Sequence, residues 1–186
     1  MTLTAVIPSV DELVARVLKG DSGAFRLLYD RYSRAMYNTA LRITGNAADA
    51  EDVLQEAFTD VFFQLHSFAN KSTFGAWIKQ IVVFKSVNLL RKRKISFDPL
   101  EDETELPELD AGMDENEVHL TVERIKLAMG NLPDGYRTIL SLYLLEGYDH
   151  EEIADILQLA PSSVRTQYIR GKQKLLSQLK KEERHA

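Results

Sequence analysis

Apolar residues recur along this chain at steps of three and four, the spacing that puts them on one side of an α-helix. Val10, Leu13, Val14, Val17 and Leu18 form the first stripe, opened by Ser9 with Glu12 three positions on, a capping-box pair, and closed by Gly20. A second helix is predicted from Ser22 to Ile43, with Phe25, Leu28, Tyr29, Tyr32, Met36 and Leu41 as its apolar surface. A third, from Ala47 to about Leu65, carries Val53, Leu54, Ala57, Phe58, Val61, Phe62 and Leu65 on one core-facing stripe. After the polar interruption Ser67 to Ser72, a fourth helix runs from roughly Thr73 to Arg93 and ends in cations, which suit a helix C-terminus.

The pattern then stops. Asp98 to Glu117 holds ten Asp and Glu and no Lys or Arg, with Pro99 and Pro107 opposing a helix. Helical spacing resumes at Val118, Val122, Ile125 and Met129 and is closed by Asn131-Leu132-Pro133. Gly135 to Glu146 is the next predicted helix, stopped by Gly147. Asp149, with Glu152 three positions on, caps a short helix whose Ile153, Ala154, Ile156 and Leu157 face inward. A turn from Gln158 to Ala160 leads to Pro161, favoured at a first helical position, and a last helix through Lys174 or on to Leu179. Alternation of period two is not sustained anywhere. The expected fold is all-α: two small helical domains, residues 1–96 and 118–186, joined by an acidic linker, residues 97–117.

Charge changes this picture more than composition does. The net charge of −5 looks wrong for a protein that meets nucleic acid. Divided along the chain, 13 basic residues stand against 9 acidic before residue 98 and 10 against 9 after residue 117, so the acidity is local to the linker. With no cysteine there is no disulfide framework, iron–sulfur cluster or cysteine nucleophile. His66, His119, His150 and His185 make no pair at metal-binding spacing, and no GxxxxGK[ST], GxGxxG or GxSxG occurs. No metal, cofactor or small-molecule substrate is therefore expected, and no enzymatic activity. No run of eighteen apolar residues or signal-like N-terminus is present, so membrane insertion is not expected and the cytoplasm is the default compartment.

Two helices joined by a turn of three or four residues match a helix-turn-helix. Its second helix carries Ser162, Ser163, Arg165, Thr166, Gln167, Arg170, Lys172 and Lys174, all expected outward. In the DNA-binding arrangement the start of that helix meets base edges; Arg suits guanine, Gln suits adenine, and Ser or Thr reaches phosphate. Spacing and charge alone leave a merely solvated basic face as an open alternative.

Particular residues go further. Leu132-Pro133, Arg137, Leu140, Leu142, Glu146-Gly147-Tyr148, Glu151-Glu152-Ile153-Ala154, Leu157 and Ser163-Val164-Arg165-Thr166 resemble the C-terminal domain of the extracytoplasmic-function (group IV) sigma factors of the sigma-70 family. On the other side of the linker, the run Asp49 to Phe58 (DAEDVLQEAF) and Phe74-Gly75-Ala76-Trp77-Ile78 resemble the family's core-polymerase-binding and promoter-melting segments, in the family's order. The resemblance extends from about Val10 to Leu179.

It implies a division of labour. Asp52, Gln55 and Glu56 would dock on a coiled coil of the largest subunit of core RNA polymerase. The loop before Trp77 would melt the −10 element and hold an extruded base, with Phe68, Asn70, Lys71, Ser72 and Thr73 as candidate contacts and Phe68 equally able to be core. Lys79, Lys85, Arg91, Lys92 and Arg93 would follow the phosphates. By position, Arg165, Thr166, Ile169 and Arg170 are the candidates for −35 promoter DNA, helped by Ser162, Ser163 and Lys172, although Ile169 could instead pack. The linker would occupy basic surface in the polymerase cleft or act only as an extended tether. Many relatives are held inactive by an anti-sigma factor that covers both domains, so such a partner is expected.

The chain also departs from the family. Phe84 stands seven residues after Trp77 where many members carry Asn, and Gly171 stands where the family has Ala. The glycine should cost about 1 kcal/mol of helix propensity. The principal rival reading is a conventional helix-turn-helix regulator that binds its operator without polymerase; a helical nuclease using acids as metal ligands is a third.

Overall fold

The computed structural model describes residues 8–68, 72–93 and 122–183. They form two compact units, one ending at Leu89 and the other starting at Leu90. Every regular element among them is helical: α1 (Val10–Leu18), α2 (Ser22–Thr44), α3 (Ala47–Gln64), α4 (Phe74–Lys92), α5 (Val122–Gly130), α6 (Asp134–Leu144), α7 (His150–Leu157) and α8 (Pro161–Glu183), with one 3₁₀ turn, Leu65–Ser67, closing α3. Asn70, Lys71, Val118 and the acidic stretch from Asp98 to Glu117 lie outside the described residues.

In the first unit the stripes meet around Leu13, Leu28, Ala40, Val53, Ala57, Phe58, Val61, Leu65, Phe74, Ile78 and Val82. Of the capping box expected at the start of α1, the Ser9 arm forms: its hydroxyl accepts the Glu12 N–H at 3.2 Å. The α1–α2 corner rests on Asp21. Its Oδ1 accepts the Ala24 N–H at 3.1 Å, capping α2. Its Oδ2 accepts Nε and Nη2 of Arg16, in the last turn of α1, at 2.9 and 2.8 Å. The Arg16 hydrogen bond first, and then the Ala24 N–H, hold the Asp21 carboxyl below its ordinary value of 3.8. A depressed carboxylate contributes stability that is complete above the unfolded value and is lost as pH falls through the folded one. Asp21→Asn should therefore lower the melting temperature at pH 7, and the gap to the wild type should close as pH is lowered through and below 3.8. A gap that persists in acid would show that the asparagine costs something other than this charge.

One expectation for α3 is corrected. Phe62, assigned to the core-facing stripe, is 48% exposed, and Phe63 beside it is 68% exposed. Phe62 lies at the edge of the stripe: the Phe25 ring covers one side, edge-on with centroids 5.0 Å apart. Its remaining surface faces out.

The second unit closes on Ala128, Met129, Leu132, Tyr136, Leu140, Leu175 and Leu179. The inward stripe of α8 is Val164, Gln167, Gly171, Leu175 and Leu179, a three- and four-residue repeat that carries the helix past Leu179 to Glu183. Gly171 sits where α8 packs tightly on α6. A Cβ there would stand 3.2 Å from Tyr136 Cβ and 3.4 Å from Leu140 Cδ1. The propensity lost at this glycine thus goes with a helix contact tighter than alanine ordinarily allows.

Candidate nucleic-acid interface

The turn between α7 and α8 is built locally. Asp149 Oδ1 accepts the N–H groups of Glu151 and Glu152, each at 2.8 Å, and Glu152 Oε2 accepts the Asp149 N–H at 2.8 Å, so the expected capping box is complete on both arms. At the other end of α7, Gln158 takes a left-handed conformation (φ 54°), and the Leu159 N–H returns to the Ala154 carbonyl at 3.0 Å. Pro161, which has no N–H to leave unpaired, starts α8.

The outer side of α8 carries Ser162, Arg165, Ile169 and Lys172, all exposed, with Ser163, Thr166 and Arg170 half-buried at its margins. Ile169, at 43% exposure, faces out rather than packing. Thr166 is turned back on its helix, donating through Oγ1 to the Ser162 carbonyl at 2.9 Å. Gln167 corrects an expectation: it is 1% exposed and belongs to the inward stripe, so it is not available for a base. Arg165 Nη2 stands 3.9 Å from Glu151 Oε1 of α7.

In the first unit, Asp52, Gln55 and Glu56 are exposed on α3, away from its buried stripe. Next to them lies a feature the sequence did not announce: a groove of about 420 Å³ lined by Phe25, Tyr29, Gln55, Phe58, Thr59, Phe62 and Phe63. Phe58 and Phe62 are core-facing by periodicity, which finds stripes but not the point where a neighbouring helix stops covering them. Lys85, a candidate phosphate contact, is already engaged. Its Nζ lies 2.8 Å from Asp60 Oδ2 and 3.4 Å from Glu56 Oε2, joining α4 to α3. Burial alone would lower its pKa, but the hydrogen bond and charge of Asp60, then those of Glu56, outweigh burial and raise it above the ordinary lysine value. Lys79 and Arg91 lie half-buried along α4, Lys92 is exposed in its last turn, and Arg93 is exposed just beyond it. Phe84 is 49% exposed on the same helix.

Before α4, Phe68 packs into an aromatic trio, with ring centroids 5.1 Å from Trp77 and 5.9 Å from the buried Phe74. This leaves it as part of the core wall. Thr73 Oγ1 accepts the Ala76 N–H at 3.2 Å and opens α4. Ser72 and Thr73 line a recess of about 490 Å³ together with Val10, Asp11, Tyr32 and Phe74. Gly75 helps to shape it, since a Cβ there would come within 3.0 Å of the Tyr32 ring. Tyr32 and Asp11 come from distant parts of the sequence, and no local pattern could have assigned them to this recess.

Residues 28–95 match the model of Sigma-70 region 2, and residues 122–175 match that of Sigma-70, region 4. The ECF RNA polymerase sigma-E factor of Haemophilus influenzae (strain ATCC 51907 / DSM 11121 / KW20 / Rd) is 32% identical over 171 residues, covering 87% of this chain and 90% of its own length. The chain belongs to the extracytoplasmic-function sigma factors of the sigma-70 family. The ECF RNA polymerase sigma factor SigW of Bacillus subtilis (strain 168) is 28% identical over 181 residues, 92% of this chain and 97% of the relative. In fold, the sigma factor is similar to RpoE in a co-crystal with the anti-sigma factor NepR from Bartonella quintana, at a TM-score of 0.54 and 21% identity, covering 84% of this chain and 96% of that one. No described helix of the sigma factor is long and apolar enough to cross a membrane.

Proposed function

We propose that this sigma factor directs core RNA polymerase to a set of promoters and starts transcription there, doing no chemistry of its own and needing no cofactor or small-molecule substrate. The observation that carries the reading is the presence, on opposite sides of one acidic segment, of two family regions with complementary surfaces: an acid and aromatic face on α3 and a cationic outer face on α8. The division of labour follows residues 1–96 for polymerase docking and the −10 element, 97–117 as acidic linker, and 118–186 for the −35 element. The matches to regions 2 and 4, on either side of the acidic segment, support group IV of the family as the subdivision.

Asp52 and Glu56 offer charge to the polymerase and Gln55 an amide, and Phe62 and Phe63 beside them supply the large apolar anchors that dominate protein interfaces. Ser162, Ser163, Arg165, Thr166, Ile169, Arg170 and Lys172 would read or flank −35 DNA. For an extruded −10 base, the recess offers the ring of Tyr32, the hydroxyls of Ser72 and Thr73 and the carboxylate of Asp11. Lys79, Arg91, Lys92 and Arg93 would follow the phosphates, Arg91 by giving up its hydrogen bond to the Ile156 carbonyl at 3.0 Å, and Lys85 would join them by giving up part of its hold on Glu56 and Asp60. An anti-sigma factor is the proposed inhibitory partner, as one is bound to the Bartonella relative in fold. The compartment in which these partners meet is the cytoplasm.

Run-off transcription from a genomic template library with purified core polymerase tests the reading. Promoter-dependent products that require the added chain are expected. Tight, specific DNA binding by the chain alone, with no transcript on any template, would instead favour a conventional helix-turn-helix regulator.

A further inference from the structure

The three acids at the start of α7 have different duties. Asp149 and Glu152 are taken up by the capping box, each accepting backbone N–H groups at 2.8 Å. Glu151 is exposed, and its Oε1 is 3.9 Å from Nη2 of Arg165 on the outer side of α8. A carboxylate beside a DNA-reading helix carries a disadvantage: it repels phosphate and weakens the sequence-independent part of binding. As an exposed ion pair it contributes little to folding. A negative charge suits the first turn of α7, but Asp149 and Glu152 already supply it there, and what sets Glu151 apart is its place beside Arg165.

We infer that Glu151 is a specificity-determining positioning residue, which holds the Arg165 guanidinium for one guanine of the −35 element. A guanidinium carries five donors in a planar fork. A carboxylate drawing Nη2 from one side restrains the plane of that fork and leaves other donors for the O6 and N7 of a single guanine. Its negative charge also makes the same arginine less attractive to a passing phosphate, so discrimination rises as non-specific affinity falls. The inference rests on the proposed reading of Arg165 as a base contact, and the test separates the two.

The experiment uses holoenzyme reconstituted from the full chain and core polymerase, selecting from promoter duplexes randomised across the −35 element, with the bound fraction sequenced. Arg165→Ala should lose about tenfold of its preference at one guanine position. Glu151→Gln should lose roughly threefold at that same position, while binding fully randomised duplex about twofold more tightly at low salt, a gain that vanishes at high salt. Glu151→Asp keeps the charge at the helix N-terminus but shortens the reach; it should lose preference like the glutamine variant without the low-salt gain. The double variant Arg165→Ala/Glu151→Gln should match Arg165→Ala alone in its base preferences, and every variant should remain fully folded by circular dichroism at the assay temperature. If Arg165→Ala leaves the preferences unchanged, the reading of Arg165 itself is overturned, and Glu151 with it. If Arg165→Ala changes them but Glu151→Gln does not, or if the glutamine effect survives undiminished in the Arg165→Ala background, Glu151 has no positioning role and Arg165 stands as an unaided contact.

Discussion

Leu140→Ala should destabilise the second unit by about 3–4 kcal/mol. Leu140 is fully buried in the cluster that α5, α6 and α8 share, and its Cδ1 lies in the wall against which Gly171 is seated. Truncation removes the transfer energy of the lost carbons and also leaves a cavity. α8 cannot settle into that cavity freely, because Tyr136, which also packs against Gly171, still holds it at its present depth on α6. Chemical denaturation followed by circular dichroism measures the loss. Leu127→Ala, at a leucine 68% exposed on α5, is the control and should stay within about 0.5 kcal/mol of wild type. A Leu140→Ala loss below about 1 kcal/mol would mean that the α6–α8 contact is looser than described.

The second large effect concerns binding rather than folding. Replacing Asp52, Gln55 and Glu56 together by alanine should weaken binding to core polymerase by about a hundredfold, in the range of desolvated charged anchors at an interface. All three are exposed and belong to no buried cluster, so the melting curve should hardly move. Lys85 keeps its closer partner in this variant, since Asp60 at 2.8 Å is untouched, and the α3–α4 bridge survives. Competition binding with labelled wild-type chain gives the affinity. Unchanged affinity together with an unchanged melting curve would sink the assignment of this face to the polymerase.

What could be read from the sequence divides along physical lines. The limits of α1 to α4 and of α6 to α8 were legible to within a few residues, because capping residues and three- and four-residue stripes are local signals; the α7 capping box formed on both arms. Burial at the edge of a stripe was not legible. Phe62 belongs by spacing with Val61 and Leu65, and only its position relative to Phe25 on α2 shows that one side of its ring stays uncovered. Gln167 failed for a different reason. Its amide invited an outward reading, although its place between Val164 and Gly171 already put it on the buried face. Here periodicity was the better guide than polarity. The recess lined by Asp11, Tyr32 and Thr73 depends on the chain returning to itself across more than sixty residues, which no short pattern encodes.

The close seat of Gly171 limits how DNA preference can be exchanged between such proteins. Transplanting only the outward residues of α8 leaves its depth on α6 unchanged and should carry a donor's base choice across. Transplanting the whole helix from a donor with alanine at this place brings a methyl group to 3.2 Å from Tyr136 Cβ and pushes the reading edge outward by a few tenths of an ångström. For chimeras and orthogonal promoter systems, the exchangeable cassette is therefore α8 together with positions 136 and 140.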